Sequence, residues 1–296
     1  ILNVGILTAT TLYGDGSNLT NVGGLGTDTY RNTTGGINAG DSFTAGDATD
    51  NTLIGYDAGT SITSGDANTF IGSYSGNNTT TAGNNTALGK ESFKTNTTGA
   101  NNTSIGHGTL YSSTTGDDNT AVGHNSLYEN TTGSDNVAVG GYSLDANTTG
   151  GDNTAVGKSA LGANTTASYN SAFGRESLLK NTTGSSNTAV GYQALEENTT
   201  ASNNTALGYN ALVANTTGNP NTAVGSGALA ANTDGVRNTA LGYNALTTNT
   251  GSYNTGVGYL ALTLNTTATY NTALGYVALN ANTTGTQNTA VGAKAL

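Results

Sequence analysis

Residues 187–203 read NTAVGYQALEENTTASN, and residues 204–220 continue with NTALGYNALVANTTGNP. This pattern begins at fifteen asparagines that lie 17 residues apart, except for one interval of 16 residues before Asn254. We number each repeat from its first asparagine as position 0. A fixed period of this length is typical of an array in which neighbouring copies stack into one continuous core. The repeats begin at Asn51, Asn68, Asn85, Asn102, Asn119, Asn136, Asn153, Asn170, Asn187, Asn204, Asn221, Asn238, Asn254, Asn271 and Asn288.

Every repeat has glycine at position 4, and threonine and asparagine fill many other positions, which disfavours a helix. Short strands separated by turns fit this composition. The sequence therefore predicts an all-β parallel β-solenoid, or β-roll, of about fifteen 17-residue coils over residues 51–296. Residues 1–50 lack the period, and we expect them to form a connector of strands and turns that leads into the roll.

Two columns of side chains bear on which side of the strand faces inward. Position 3 is Val, Leu, Ile or Phe in all fifteen repeats, whereas position 2 is Ala in eleven of them. Because neighbouring strand residues point to opposite faces, we expect position 3 inside the coil and the alanines outside, against another copy of the chain. The expected oligomer interface consists of Ala121, Ala138, Ala155, Ala172, Ala189, Ala206, Ala223 and Ala240.

The expectation of a second copy rests on the scarcity of large apolar side chains. Position 8 is Leu or Phe in thirteen repeats and Gly in the first two, at Gly59 and Gly76. Burying two large side chains returns much less free energy than ordering a whole coil costs, so burial between chains would supply the difference. The alternative is a single-chain solenoid whose alanine face meets water.

Composition argues against several classes of function. The chain has 8 Lys and Arg against 18 Asp and Glu, and this net charge of −10 argues against nucleic-acid binding. No segment approaches the ~20 apolar residues of a membrane span, so no membrane insertion is expected. The absence of Cys excludes disulfides and thiolate metal sites. Because the chain begins at Ile1 and stops at Leu296 within a repeat, we expect it to be part of a longer polypeptide.

No set of residues has the arrangement of a catalytic site, so an enzyme is not expected, and no cofactor is implied. His107 and His124 share position 5 of consecutive coils, where a stacked pair repeated around an oligomer could hold a metal ion. Lys and Arg elsewhere in that column favour a simple solvated surface. Asp118, Asp135 and Asp152 share position 16, where a weak Ca²⁺ site is the alternative to exposed carboxylates that repel one another.

Tyrosines form a column in the C-terminal half of the chain. They are candidates for a platform that binds a carbohydrate or receptor on a cell surface, while packing between neighbouring coils is the simpler interpretation. The column at position 5 consists of Tyr192, Tyr209, Tyr243, Tyr259 and Tyr276, and position 16 adds Tyr253 and Tyr270.

The recurring Asn-Thr-Thr at positions 11 to 13, as at Asn130 and Asn181, predicts a ladder of amides along the rod. The same triplet matches the acceptor sequence for N-linked glycans, but a repetitive turn would produce that string without any glycan. Threonine at position 12, from Thr97 to Thr283, forms a further column that could order water.

The segments 119–123 and 187–191, both Asn-Thr-Ala-Val-Gly, resemble the Asn-Ser-(Val/Ala)-Ala-(Ile/Val)-Gly motif of YadA-like trimeric autotransporter heads. The resemblance covers residues 51–296, although the coil of that family is shorter than 17 residues. It implies a left-handed parallel β-roll that assembles as an intertwined or side-by-side homotrimer.

Residues 5–22, GILTATTLYGDGSNLTNV, are similar to segments of tail-fibre and other structural proteins from phages of aquatic bacteria. The shared pattern is Ala-Thr-x-apolar-x-Gly-Asp-Gly-Ser-x-Leu-Thr-x-Val. This resemblance implies a location on a virion or another extracellular surface.

Together these observations favour a non-enzymatic structural fibre or filament shaft, such as that of a phage tail fibre or a related extracellular appendage that supports attachment to a host or surface. Its expected partners are further copies of itself, side by side or end to end, and a cell-surface glycan or receptor. One alternative is the adhesive head of a trimeric autotransporter-type bacterial adhesin. Another is an ice-binding β-solenoid, because flat threonine columns can order water.

Overall fold

A computed structural model describes residues 26–44 and 47–296, and every regular element within them is a β-strand. Each repeat contributes one strand of three residues at positions 1 to 3, so the expected parallel β-solenoid of 17-residue coils is confirmed. Residues 5–22, which resemble phage structural proteins, lie outside the described residues. The strands are β1 (Gly26–Thr27), β2 (Thr33–Gly35), β3 (Thr52–Ile54), β4 (Thr69–Ile71), β5 (Thr86–Leu88), β6 (Thr103–Ile105), β7 (Thr120–Val122), β8 (Val137–Val139), β9 (Thr154–Val156), β10 (Ser171–Phe173), β11 (Thr188–Val190), β12 (Thr205–Leu207), β13 (Thr222–Val224), β14 (Thr239–Leu241), β15 (Thr255–Val257), β16 (Thr272–Leu274) and β17 (Thr289–Val291).

Consecutive strands from β2 to β17 pair in parallel and in register. In β11 and β12, for example, Ala189 lies opposite Ala206. β14 pairs with β15 in the same way, with Thr239 opposite Thr255, although the repeat that joins them is one residue shorter. The turn therefore absorbs the deletion while the strands keep their register.

The roll begins one coil earlier than the sequence period indicates. Thr33 in β2 pairs in parallel with Thr52 in β3, and Oδ1 of Asn32 accepts a hydrogen bond from the backbone N–H of Asn51, 19 residues later, at 2.9 Å. β1 pairs antiparallel with the other edge of β2 and so covers it. The expected boundary between residues 50 and 51 therefore falls inside the roll.

Position 2, and not position 3, lines the interior of the coil. The position-2 alanines are fully buried in the core of their own chain, whereas Leu207 at position 3 is 45% exposed. The prediction that the alanines form an oligomer interface is therefore wrong, as is the predicted burial of position 3. The buried alanines are Ala121, Ala138, Ala155, Ala172, Ala189, Ala206, Ala223 and Ala240.

Side-chain size across the coil explains why the alanines face inward. Leu195 at position 8 is fully buried, and a close-packed interior with one large side chain in place leaves room only for a small one opposite. In the first two repeats the sizes are exchanged, because Leu53 and Phe70 occupy position 2 and glycine occupies position 8. A Cβ on Gly59 would lie 2.8 Å from Cδ2 of Leu53, and a Cβ on Gly76 would overlap the ring of Phe70.

Buried asparagines at position 0 form a column along the whole roll. Nδ2 of Asn153 donates to Oδ1 of Asn136 in the preceding coil at 3.1 Å and to the carbonyl oxygen of Ala167 in its own coil at 2.9 Å. The backbone N–H of Asn153 donates to the same Oδ1 at 3.1 Å. Each amide thus pairs backbone groups that would otherwise be buried without partners.

A second column at position 11 confirms the expected amide ladder. Nδ2 of Asn181 donates to Oδ1 of Asn164 at 3.1 Å and to the carbonyl oxygen of Gly184 at 2.9 Å. Because these asparagines are fully buried, the Asn-Thr-Thr triplets have a structural role, and a glycan on Nδ2 would not fit in the folded coil. Thr79 and Ser113 interrupt the column near its N-terminal end.

Glycine at position 4 is required where the strand bends into the next segment. Gly191 has a φ of 131°, and a Cβ on it would lie 2.5 Å from the carbonyl oxygen of Gly208 in the next coil. Only glycine tolerates both the positive φ and this close approach of two backbones. The glycine column of the sequence is therefore a consequence of how the coils stack.

Candidate interaction surfaces

The outward side of β3–β17 forms one continuous uncharged surface, which we call the strand face. It consists of the side chains at position 1, mostly threonine, and at position 3, all Val, Leu, Ile or Phe. Leu88, Leu207, Leu241, Leu274 and Phe173 at position 3 are between 42% and 48% exposed. Single exposed apolar residues are ordinary, but a contiguous apolar column of this length is typical of an interaction surface.

The threonine columns differ in whether their hydroxyl groups are free. At position 12, Oγ1 of Thr182 donates to the carbonyl oxygen of Thr199 at 3.0 Å, and this contact recurs along the roll. At position 1, Thr188 and Thr205 are exposed, and their hydroxyls bond to no other described residue. The column expected to order water is therefore engaged within the roll, and a column with free hydroxyls lies on the strand face.

The tyrosines form stacked ladders that present ring edges to solvent. The ring centroids of Tyr243, Tyr259 and Tyr276 are 5.4 Å apart at each step, with interplanar angles of 13° and 10°. Tyr253 and Tyr270 stack at 4.8 Å. Both ring faces of Tyr259 are covered by its neighbours, so a sugar that stacks on an aromatic face would find one only at the ends of a ladder. The hydroxyls and ring edges are what the tyrosine column offers along its length.

The two histidines stack as their shared position predicts. The ring centroids of His107 and His124 are 5.4 Å apart with an interplanar angle of 9°, and Nε2 of His107 lies 3.9 Å from a carboxylate oxygen of Glu91. In the described part of the chain, no group of three or more His, Cys, Asp or Glu side chains is close enough to hold a metal ion.

Charged side chains border the strand face along both sides. Position 5, directly after the glycine, forms the glycine-side edge, and position 16, directly before the next asparagine, forms the asparagine-side edge. Nη2 of Arg175 lies 2.8 Å from Oε1 of Glu176, which lowers the pKa of the Glu176 carboxyl. Asp50, on the asparagine-side edge, pairs with Arg31 of the preceding coil. The other charges on these edges form no ion pair with a described residue, apart from the longer contact of His107 with Glu91. The glycine-side edge carries Lys90, His107, His124, Lys158 and Arg175, and the asparagine-side edge carries Asp50, Asp118, Asp135, Asp152 and Arg237, all of them exposed.

The sequence identified the columns at positions 5 and 16 that form the two edges, but it did not show that positions 1 and 3 between them face outward. The signal that could have revealed it was the paired exception in the first two repeats, where large residues at position 2 coincide with glycine at position 8. Such an exchange indicates that positions 2 and 8 share one interior, which leaves position 3 outside.

Comparisons with known proteins give no relative for this chain. No protein-family model, curated protein or solved structure matches it. Among residues 26–44 and 47–296 there is no helix of the length and hydrophobicity needed to cross a membrane.

Proposed function

We propose that this chain forms the shaft of an extracellular fibre, such as a phage tail fibre or a related appendage, in which side-by-side copies hold an attachment site away from its base. The observation that carries the proposal is the strand face, which runs without a charged residue along β3–β17. At ~4.8 Å per coil, the parallel ladder makes a rod of about 70 Å.

The strand face has the size and chemistry of a contact between copies. A surface of about 70 Å by ~10 Å provides on the order of 700 Å² per copy, close to the ~800 Å² per partner of a standard interface. Its half-exposed aliphatic column would be buried by association. The assembly we propose is a homotrimer of left-handed rolls, in which the position-3 column replaces the alanines as the interface.

The purified chain tests this proposal through its mass in solution. Light scattering should give three times the 29.3 kDa of one chain, and electron microscopy should show rods. Val156→Asp places a charge on the strand face and should dissociate the assembly, whereas Val213→Asp, nine residues after Asn204 and outside the strand face, should leave the mass unchanged. A wild-type chain that remains a monomer at high concentration would contradict the shaft.

An antibody raised against the chain tests its location. Immunogold labelling of intact virions or cells should mark the sides of a fibre. Labelling confined to a bacterial surface would instead favour the adhesive head of a trimeric autotransporter-type adhesin, in which the roll itself binds a glycan or receptor.

A second candidate function is ice binding, which the free threonine hydroxyls of the strand face favour. Beside them lies a column of aliphatic side chains at the same spacing. Ice binding needs the strand face open to water, so it requires a monomer. The assay for it is thermal hysteresis of the purified chain, which should then be measurable. A trimer without thermal hysteresis would eliminate it.

A further inference from the structure

We infer that the side of the rod carries a binding site for a neutral pyranose sugar, held between the rings of Tyr209 and Tyr243 and over Ser226. We call this place the tyrosine slot. It lies on the glycine-side edge, beside the strand face. All of its residues belong to one chain, so it goes beyond the proposed shaft and does not depend on association between copies.

The slot is a gap in the tyrosine column at position 5. Tyr209 stacks on Tyr192 at a centroid distance of 5.7 Å, and Tyr243 stacks on Tyr259 at 5.4 Å. The coil between these two ladders has Ser226 at the same position. One face of Tyr209 and one face of Tyr243 therefore point toward each other across the place of a missing ring.

Exposure differs between a ring at the end of a ladder and a ring within one. Tyr192 is covered on one face by Tyr209 and on the other by the guanidinium of Arg175, which lies 5.8 Å from the ring centroid. Tyr192 is 37% exposed, whereas Tyr209, at the slot, is 57% exposed. The slot thus offers two aromatic faces to solvent where the rest of the column offers ring edges.

The coil of residues 221–237 is narrower at the slot than both of its neighbours. It has valine where they have leucine at position 3, serine where they have tyrosine at position 5, and glycine where they have asparagine at position 6. A Cβ on Gly227 would overlap Oδ1 of Asn244, so the Asn244 amide lies beside the floor of the slot. This amide and the hydroxyl of Ser226 bond to no other described residue, and both are available to a ligand.

The width of the slot suits a puckered sugar ring better than a flat aromatic ring. Two coil steps of ~4.8 Å separate the facing tyrosines by about 10 Å. A flat ring in van der Waals contact with both faces needs ~3.5–4 Å on each side, or about 7–8 Å in all. A pyranose chair is thicker, because its axial hydrogens project from both faces, and it takes up the remaining width.

The two tyrosine faces require a sugar that presents C–H groups on both sides. The face of an aromatic ring is the negative part of its quadrupole and attracts polarised C–H groups. In a β-glucopyranoside all substituents are equatorial, so each face carries axial hydrogens only, and the oxygens point outward to Ser226, Asn244 and the tyrosine hydroxyls. In a β-galactopyranoside the axial oxygen at C4 would lie against one ring without a hydrogen-bond partner.

The charges around the slot favour a neutral sugar. The three coils that form it, residues 204–253, contain two charged residues, Asp234 and Arg237. These lie at positions 13 and 16, and neither is on the glycine-side edge. A carboxylated or phosphorylated sugar would find no counter-charge beside the two rings.

Titration of the purified chain with methyl β-D-glucopyranoside, followed by saturation-transfer NMR, tests the slot. A ligand of this size should bind with a dissociation constant on the order of 1 mM, and the axial hydrogens of both faces should receive saturation. Methyl β-D-galactopyranoside should bind about tenfold more weakly, because its axial oxygen is desolvated. Equal binding of the two sugars, or no binding of the glucoside, overturns the inference.

Variants at position 5 locate the site. Ser226→Tyr completes the ladder, as Tyr259 does between its neighbours, and should abolish binding while the denaturation midpoint shows that the chain still folds. Ser226→Ala leaves the gap open and should retain most of the affinity. Tyr209→Ala removes one face and should weaken binding about tenfold. Binding that survives Ser226→Tyr overturns the slot.

A second filled position separates the slot from single ring faces. Ala293→Tyr covers the face of Tyr276 that points toward the next coil, at a ladder end that has no ring opposite it. This variant should bind the glucoside as the wild-type chain does. Loss of binding in Ala293→Tyr would show that one open face is enough, and that result also overturns the slot.

The planar compound p-cresol, which has the ring and hydroxyl of a tyrosine side chain, tests the other occupant of the same place. If p-cresol binds more tightly than the glucoside, and Ser226→Tyr abolishes its binding, the slot accepts a flat aromatic side chain and the sugar is overturned. The shaft stands or falls separately, through the mass of the assembly. A monomer that binds the glucoside keeps this site without the shaft, and a trimer that does not bind it keeps the shaft without this site.

Discussion

The first two repeats, residues 51–84, and the repeats that follow fill the same interior in opposite ways. In the first two, Leu53 and Phe70 project inward from the strand and glycine lies opposite them. In the later repeats alanine or another small residue projects from the strand, and Leu or Phe lies opposite. What is held constant is the volume shared by positions 2 and 8, not the residue at either position.

The same two regions differ in how they satisfy polar groups. The later repeats stack buried asparagines at position 11, whereas the first two have Ile62 and Thr79 there. Ile62 is fully buried, and its Cδ1 would lie 2.9 Å from a Cβ on Gly59. Apolar contact thus replaces one hydrogen-bonded ladder in the first repeats, and the position-0 ladder continues through both regions.

Exchanging the large residue at position 2 and the glycine at position 8 in one coil tests this difference between the two regions, and its first step should have the largest effect on the free energy of unfolding. Phe70→Ala removes a buried ring that also packs against Phe93 at a centroid distance of 6.4 Å, and it should cost about 3–5 kcal/mol. Adding Gly76→Leu should recover most of this loss, because leucine occupies the same left-handed backbone position in later coils, as at Leu195 with a φ of 53°. Urea denaturation, with hydrogen exchange of residues 68–84, measures both variants.

Gly76→Leu alone is the matched control for this exchange. It should destabilise the coil by overpacking against Phe70, so the two substitutions should be strongly non-additive. If the double variant loses the sum of the two single effects, positions 2 and 8 do not share one interior.

The next test places the side chains of the first two repeats, a large residue at position 2 and glycine at position 8, in one of the later repeats. Ala189→Phe should destabilise its coil by about 1–3 kcal/mol through overpacking, because Leu195 already fills that interior. Adding Leu195→Gly should restore part of the stability, but less than the native pair provides at Phe70, since leucines in both neighbouring coils remain. Urea denaturation measures the two single variants and the double variant. If the double variant loses the sum of the two single losses in free energy of unfolding, positions 2 and 8 of the later coils do not share one interior as they do in the first two.

Deleting one amide of the position-11 ladder should have an effect of about 1–3 kcal/mol. Asn181→Ala leaves the Gly184 carbonyl and the Asn198 amide, which donates to Asn181 Oδ1 at 2.8 Å, without this partner. At the same position in the first region, the buried Oγ1 of Thr79 has no hydrogen-bond partner. Thr79→Val should therefore be neutral or stabilising, and equal losses of thermal stability in the two variants would contradict the difference between the regions.

Much of this fold could be predicted from the sequence, because its repeated features each have one local cause. The period predicted the stacked coils, the position-4 glycines disfavoured a helix, and asparagine at position 11 predicted the ladder. Which face of the strand points into the coil could not be predicted in the same way. Alternation divides positions 2 and 3 between two faces, but both faces are uncharged, and the rule that larger residues face inward fails when Leu195 and its equivalents already occupy the core.

The candidate surfaces were predictable only as columns. Shared positions correctly placed His107 over His124 and the tyrosines over one another, since a stack brings equivalent residues together. The sequence does not give side-chain orientation. It therefore could not show that neighbouring rings cover both faces of Tyr259, or that the hydroxyl of Thr182 donates a hydrogen bond within the roll.

Filling the gap in the ladder at Ser113 should have the smallest effect and the opposite sign. Ser113 is fully buried, and its Oγ has no hydrogen-bond partner. In Ser113→Asn, Nδ2 would reach Oδ1 of Asn96 in the preceding coil, and Oδ1 would accept from Asn130 in the next, as the ladder does elsewhere. One restored pair of amide hydrogen bonds should stabilise the chain by about 1 kcal/mol, seen as a higher denaturation midpoint. Ser113→Ala is the control, because it removes the unpaired hydroxyl without joining the ladder. If Ser113→Asn gains no more than Ser113→Ala, the ladder contributes nothing beyond satisfying each amide within its own coil.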